Sequence, residues 1–247
     1  MSRQDFDFAR VWRYLFSHVN TLQNILFVAP VLLFSVIAHE YAHGYAALRQ
    51  GDSTALQLGR LTWNPLKHID PFLTIIMPLV MYFTIGIALG GAKPVPVNPT
   101  NYRNFKRGDI IVSLAGVTVN FILAVLCAIV IAILGLAAHA FPIVERSAGI
   151  LQVMMDVGIQ INLALLMFNL IPIPPLDGSH VVKYLLPPAW SLQYQRMGFA
   201  GLIFLIILMR AAPGFLSWWF GPAQFVGGSL RHAVRDLFTP TYYNWIS

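Results

Sequence analysis

The sequence predicts an all-α polytopic membrane protein of about four transmembrane helices, with one re-entrant segment and short extended loops. Composition is the first reason: 57% of the 247 residues are hydrophobic, only 11% are charged, and the mean hydropathy is +0.66. Ordinary soluble domains carry about 25% charged residues. The second reason is that the apolar residues fall into blocks, Ile25 to Leu48, Phe72 to Gly91, Ile110 to Ala138, Ile150 to Pro175 and Phe199 to about Leu216. Several of these reach the roughly 20 residues that a helix needs to cross a bilayer.

Residues 1–20 alternate Arg3, Arg10 and Arg13 with Phe6, Phe8, Trp12 and Leu15 and lack an uninterrupted apolar run. They read as an amphipathic interfacial arm rather than a signal peptide. Ile25 to Leu48 holds only Pro30 and Ser35 as interruptions before its polar motif, so one continuous helix is expected, roughly 36 Å long at 1.5 Å per residue. Arg49 to Asp70, with Gly51, Gly59, Asn64-Pro65 and Asp70-Pro71, reads as turns. Phe72 to Gly91 is apolar but carries Pro78, Gly86 and Gly90-Gly91, which permits a broken path that enters and returns on one side. The Pro94-Val95-Pro96-Val97-Asn98-Pro99 run excludes helix and favours extended backbone.

Ile110 to Ala138 is the cleanest span, with Asn120 its one strongly polar member. Ile150 to Pro175 contains Asp156, Gln160, Asn162 and Asn169 and is broken by Pro172, Pro174 and Pro175. Trp218, Trp219 and Phe220 look like an aromatic belt. The chain is therefore divided into an N-terminal arm (1–20), a membrane core (21–220) and a C-terminal surface tail (221–247).

The net charge of +6 comes from Lys and Arg scattered through short loops, without the clustered basic face that a nucleic-acid partner needs. Arg49, Arg60, Lys67, Lys93, Arg103, Lys106, Arg107, Lys183 and Arg196 flank the two polar motifs, against Arg146 alone in the intervening turn, which predicts that the motif side faces the cytosol. Cys127 is the single cysteine, so no disulfide within the chain is possible.

The chemistry-bearing stretch is His39-Glu40-Tyr41-Ala42-His43. At the helical period, positions i and i+4 share a face, so His39 and His43 can bind one metal ion while Glu40 points to an adjacent water site. On a soluble helix such a string can be a solvated surface. Inside a membrane an isolated charge costs at least about 2.5 kcal/mol, and ionisable groups there are functional by default.

A catalytic zinc site holds three protein ligands and a water. For the third, the candidates are Asp70, Asp109, Asp156 and Asp177. Asp177 follows a proline-broken helix end, where unwound backbone can turn a carboxylate inward. Asp156 is the second choice, with helix pairing its alternative role. His18, His68 and His180 are expected to be loop hydrogen-bonders rather than ligands.

Three pieces of the chain resemble the site-2 protease family of intramembrane zinc metalloproteases: His39 to His43, Asn169-Leu170-Ile171-Pro172 through Leu176-Asp177-Gly178, and Ala115-Gly116 to Asn120. The loops Asn64 to Pro71 and Ala92 to Pro99 are similar to those of its compact prokaryotic subgroup, which has no PDZ or CBS domain. The resemblance implies Zn²⁺ held by His39, His43 and Asp177, with Glu40 as general base and Asn120 and Asn169 assisting substrate or transition state. Val117 departs from the proline usual at that place in the family. The implied activity is hydrolysis of a transmembrane or membrane-associated polypeptide in the bilayer, by a multi-pass protein of the cell membrane. A membrane metal-ion transporter is the alternative, since it too would place His, Asp and Asn in a membrane.

Overall fold

The structure is a computed structural model that describes residues 22–77, 79–80 and 91–246. The expected N-terminal arm, residues 1–20, and most of the C-terminal half of the expected re-entrant segment lie outside the described residues. Among the described residues the regular elements are helical and no strand forms.

Helix α1 (Leu22–Gln50) is continuous through Pro30, as expected, and α2 (Thr54–Gln57) is a single turn in the following loop. Then come α3 (Phe105–Ala140), α4 (Glu145–Asn169) and α5 (Asp177–Val182). The remainder is α6 (Pro188–Arg196), α7 (Gly198–Ala211), α8 (Pro213–Trp219), α9 (Gly221–Ala233) and α10 (Pro240–Ile246). Among the described residues, Leu26–Gln50, Phe105–Ala140 and Pro142–Asn169 are long and apolar enough to cross a membrane. Pro188–Arg196 with Ala200–Leu208, bent by 79°, makes up to a fourth. The prolines at 213 and 188 begin helices rather than interrupt them, which is where a missing N–H costs nothing.

The ends are set locally. Gly51 (φ 113°) follows α1 in the left-handed region, Gly51 N–H donates to Leu48 O at 3.1 Å and Asp52 N–H to Ala47 O at 2.9 Å, a glycine cap that stops the helix. Asn104 accepts from Arg107 N–H at 3.0 Å and starts α3 earlier than the apolar pattern alone suggests. Asp70 accepts from Phe72 and Leu73 N–H, both at 2.9 Å, and opens the π-helical turn Pro71–Ile76.

The chain divides into two compact units. One comprises Val36–Asn120 and Leu165–Trp219 and holds every candidate site residue placed by the sequence except Asp156 and His18. In it the two loops expected as turns and extended pieces are hydrogen-bonded to each other. Lys93 N–H donates to His68 O at 2.8 Å, the Arg60 guanidinium to Lys93 O at 3.0 Å, and Arg103 N–H to Gln50 O at 2.8 Å. Gly91 N–H reaches Leu73 O at 3.0 Å and Thr74 Oγ1 donates to Gly91 O at 2.8 Å, so the two ends of the segment expected to re-enter lie together.

The other unit takes the chain up to Ser35, Phe121–Ala164 and Phe220 onward. Its polar centre is on α4. Gln152, fully buried, donates to Ile131 O and Leu237 O and accepts from Thr239 N–H and Oγ1. Asp156 receives Arg231 Nε at 2.8 Å and Nη2 at 3.0 Å, with Tyr242 Oη at 3.2 Å. Residues 221–247, expected as a surface tail, are in their described part tied to this helix, and Thr239 and Tyr242 are buried. The physical reason is the buried Asp156 carboxylate, which needs a cation and donors and finds them in this segment.

Candidate metal centre

Three elements of one unit build the site. The α1 helix supplies His39 and His43 one turn apart, so both imidazoles leave the same face. The irregular stretch 170–176 ends where α5 begins, and this presents the first residue of α5, Asp177. The α3 helix lies against α1 in the opposite direction, since His39 meets Asn120 while His43 meets Val112.

Both histidine tautomers are fixed from outside. His43 Nδ1 lies 2.7 Å from Val112 O, and a carbonyl only accepts, so the proton is on Nδ1. His39 Nδ1 lies 2.5 Å from Asn120 Oδ1 and donates to it in the same way. In the neutral imidazoles the two Nε2 atoms then present lone pairs; they stand 3.0 Å apart, and each is 3.3 Å from Asp177 Oδ2. That carboxylate oxygen is buried and has no hydrogen-bond partner.

Two imidazole nitrogens and a carboxylate oxygen this close need a cation between them, either a shared proton or a metal ion. Zinc held by ligands at about 2.0–2.1 Å in a tetrahedron has ligand–ligand edges of about 3.3–3.4 Å. The observed separations fit, and the three residues together could hold a metal ion. Gly116 supplies the room: a Cβ there would lie 2.5 Å from His39 Cε1 and 2.6 Å from Nε2 of both His39 and His43.

Glu40, the next residue on α1, accepts Val95 N–H at Oε2 over 2.8 Å. This ties the extended Pro94–Val97 run to the site. Val95 is buried and Val97 packs against Ala47, Tyr102 and Val112.

The structure places the residues that the sequence singled out as follows. His39, His43 and Asp177 come together, and Glu40 lies beside them. Asn120, expected to assist the substrate or transition state, contacts His39. Asn169 donates from Nδ2 to Leu165 O one turn back, at 3.0 Å. The other aspartates are engaged elsewhere: Asp70 caps the turn at Pro71, Asp109 pairs with Lys183 at 2.6 Å, and Asp156 pairs with Arg231. His68 is buried and its Nε2 donates to Thr62 O at 2.8 Å, a loop hydrogen bond as expected. His180 joins Asp109 at 3.3 Å, and His18 lies outside the described residues. Val112, Gly116 and Val95 were not among the expected site residues. Val112 and Val95 act through backbone atoms and Gly116 by having no side chain; the 112, 116, 120 spacing on one helix face points to Val112 and Gly116, and no side-chain chemistry points to Val95.

Apolar helices long enough to span a membrane, with a His-His-Asp cluster and a neighbouring glutamate, fit the site of a membrane metalloprotease. The comparisons agree: the model of peptidase family M50 matches residues 27–148 and 137–209, and the chain belongs to that family, the site-2 proteases. YwhC of Bacillus subtilis (strain 168), named a zinc metalloprotease, is 35% identical over 219 residues, 87% of this chain and 92% of that protein. Rip2 of Mycobacterium tuberculosis (strain ATCC 25618 / H37Rv), named likewise, is 32% identical over 189 residues, 76% of this chain and 68% of that protein. No solved structure matches the chain significantly. The protein is thus a membrane-spanning metalloprotease of a zinc-dependent family.

Proposed function

We propose that the chain hydrolyses peptide bonds of membrane-embedded polypeptides, with zinc on His39, His43 and Asp177 and Glu40 as general base. The observation that carries this reading is the meeting of His39 Nε2, His43 Nε2 and the buried Asp177 Oδ2 within 3.3 Å of one another, beside Glu40 and on a helix apolar enough to span. When bound, zinc supplies Lewis-acid polarisation of the scissile carbonyl and a water acidified toward a pKa of about 7.

The residues of the chain do the rest. Val112 O and Asn120 Oδ1 hold the two imidazoles in the ligating tautomer. Val95 N–H occupies Glu40 Oε2, which leaves Oε1 to take the water's proton and return it to the leaving amine. A helical substrate hides its peptide bonds in its own ladder and must unwind locally. The extended Pro94–Val97 run beside Glu40 is where such a strand would lie. The cell membrane, with the site open to the cytosol, is the location that the loop charges support.

The test is the full-length Glu40→Gln protein in detergent or liposomes. Stoichiometric zinc with cleavage of a membrane substrate lost, and trapped substrate co-purifying, is the expected result. Undiminished cleavage overturns Glu40 as the base, and normal zinc flux in that variant favours transport instead.

A further inference from the structure

Asp109, Val112, Gly116 and Asn120 follow one another at intervals of three, four and four along α3, so they form a single stripe on one face. Asn120 fixes His39, Val112 fixes His43, and Gly116 leaves the space between them. Asp109, two turns before Gly116, is buried at 3% exposure and plays no part in the chemistry proposed above.

Its carboxylate gathers donors from the segment that Asp177 opens. Lys183 Nζ lies 2.6 Å from Oδ2, Tyr184 Oη donates to Oδ2 over 2.9 Å, and His180 Nδ1 is 3.3 Å from Oδ1. Lys183 is itself buried at 9% exposure, and its Nζ also lies 3.3 Å from His180 Nδ1. Burial, followed by the contact with Asp109, holds the Tyr184 phenol above its ordinary pKa, so it remains a donor. The register is consistent on both sides: from Gly116 back to Asp109 and from Asp177 on to Lys183 are each about 10 Å of helical rise.

A buried ion pair is weak evidence for stability, because desolvation offsets most of its attraction; its best-attested use is to fix one arrangement among several. The arrangement at stake is the one that needs fixing. Whereas His39 and His43 share a long helix, Asp177 stands on a six-residue helix preceded by irregular backbone.

We propose that Asp109 is the positioning residue for the third metal ligand: through Lys183, Tyr184 and His180 it anchors the short helix that carries Asp177. The α3 stripe then orients all three ligands from one rigid element, two directly and one through its helix. This inference rests on the zinc site proposed above.

The experiment measures Zn²⁺ affinity of the purified full-length chain in detergent by chelator competition, together with the visible spectrum of the Co²⁺-substituted protein. Asp109→Asn is expected to weaken Zn²⁺ binding about 10- to 100-fold, as loss of an outer-shell partner does elsewhere, and to shift the Co²⁺ bands. Tyr184→Phe removes one donor and leaves the Lys183 pair, so it is expected to weaken binding several-fold while the protein stays folded. Should Asp109→Asn fail to fold, Tyr184→Phe decides. Zn²⁺ affinity within twofold of wild type in the folded variants, with an unaltered Co²⁺ spectrum, overturns the positioning role while leaving the zinc site standing. Failure of the zinc site itself looks different: wild type would bind no stoichiometric Zn²⁺, or Asp177→Ala would keep it.

Discussion

The carboxylate of Glu40 on α1 accepts the backbone N–H of Val95 at 2.8 Å, across 55 residues of sequence. The same Val95 places Cγ1 where a Cβ at Gly44 would be only 2.8 Å away, with Leu61 Cδ1 at 3.2 Å. Gly44 is one turn beyond Glu40, so the bare glycine is what allows the extended run to approach the proposed base.

Gly44→Ala is therefore expected to push the run outward, because a β-branched valine cannot swing aside at χ1 without leaving its preferred well. A displacement of about 1 Å at a catalytic group costs up to about 100-fold in rate. The variant should keep zinc and lose about 10- to 100-fold in kcat. Wild-type kcat in this variant would show that the contact with Val95 does not position Glu40.

Gly116→Ala is expected to separate metal binding from folding. Within a helix, alanine is favoured over glycine by about 1 kcal/mol, which offsets part of the roughly 1–3 kcal/mol that overpacking costs the metal-free protein. The added methyl, however, meets Nε2 of both histidines at 2.6 Å. Zinc stoichiometry should fall toward zero with the helical signal maintained and the metal-free melting temperature lowered only modestly. A full equivalent of zinc in this variant would mean that the metal does not sit against α3.

What could be read from the sequence and what could not divides along a physical line. His39, Glu40 and His43 were legible because a helix repeats every 3.6 residues, and Asp177 because three prolines must end a helix before it. Asn120 was legible as a residue but not in its contact, since an amide can donate to a substrate or accept from an imidazole, and only the packing of α3 on α1 decides. Asp109 resembled any loop-edge aspartate, because its partners are 71 to 75 residues away. The segment after Leu230 resembled an interfacial tail for the same reason: the cation that Asp156 requires is 75 residues distant.

Asp52 gives the pH dependence a sign. Burial pushes its carboxyl up, but donation from Asn98 N–H, Thr54 and Asn101 outweighs burial and holds it below the ordinary value of 3.8. A carboxyl with a depressed folded pKa contributes stability above its unfolded pKa and loses it as pH falls through the folded one. Hydrogen bonds to a charged group are worth about 1.5–3 kcal/mol, so Asp52→Asn should lower the melting temperature in detergent at pH 7. The gap from wild type should persist at pH 5 and narrow below about pH 4. A gap that stays constant down to pH 3 would assign the effect to shape rather than charge.

Removing one partner of the Asp156 and Arg231 pair should be far worse than removing both. Arg231→Met leaves a buried carboxylate uncompensated, at a cost of about 3–5 kcal/mol. Asp156→Leu with Arg231→Met should recover most of that loss and retain the full zinc content. Melting temperatures of the two variants check the first statement. Zinc loss in the stable double variant would reopen Asp156 as a metal ligand.

The loops on either side of Phe72 to Gly91 should lie on one face of the membrane. Asp52, directly after α1, accepts Asn98 N–H at 2.6 Å and Asn101 Nδ2 at 2.9 Å, both directly before α3. Arg103 N–H caps Gln50 O, and Gly91 N–H reaches Leu73 O. A segment that crossed a hydrocarbon core of about 30 Å could not have its two ends hydrogen-bonded to each other. The parity also suits the chemistry: α1 arrives at this face, α3 leaves it and α4 returns, which brings Asp177 to the depth of His39 and His43. In a background with Cys127 replaced, Arg60→Cys and Thr100→Cys should react with a membrane-impermeant thiol reagent from the same side, which the loop charges predict to be the cytosol. Labelling of the two positions from opposite sides would sink this topology and, with it, the parallel course of α1 and α4.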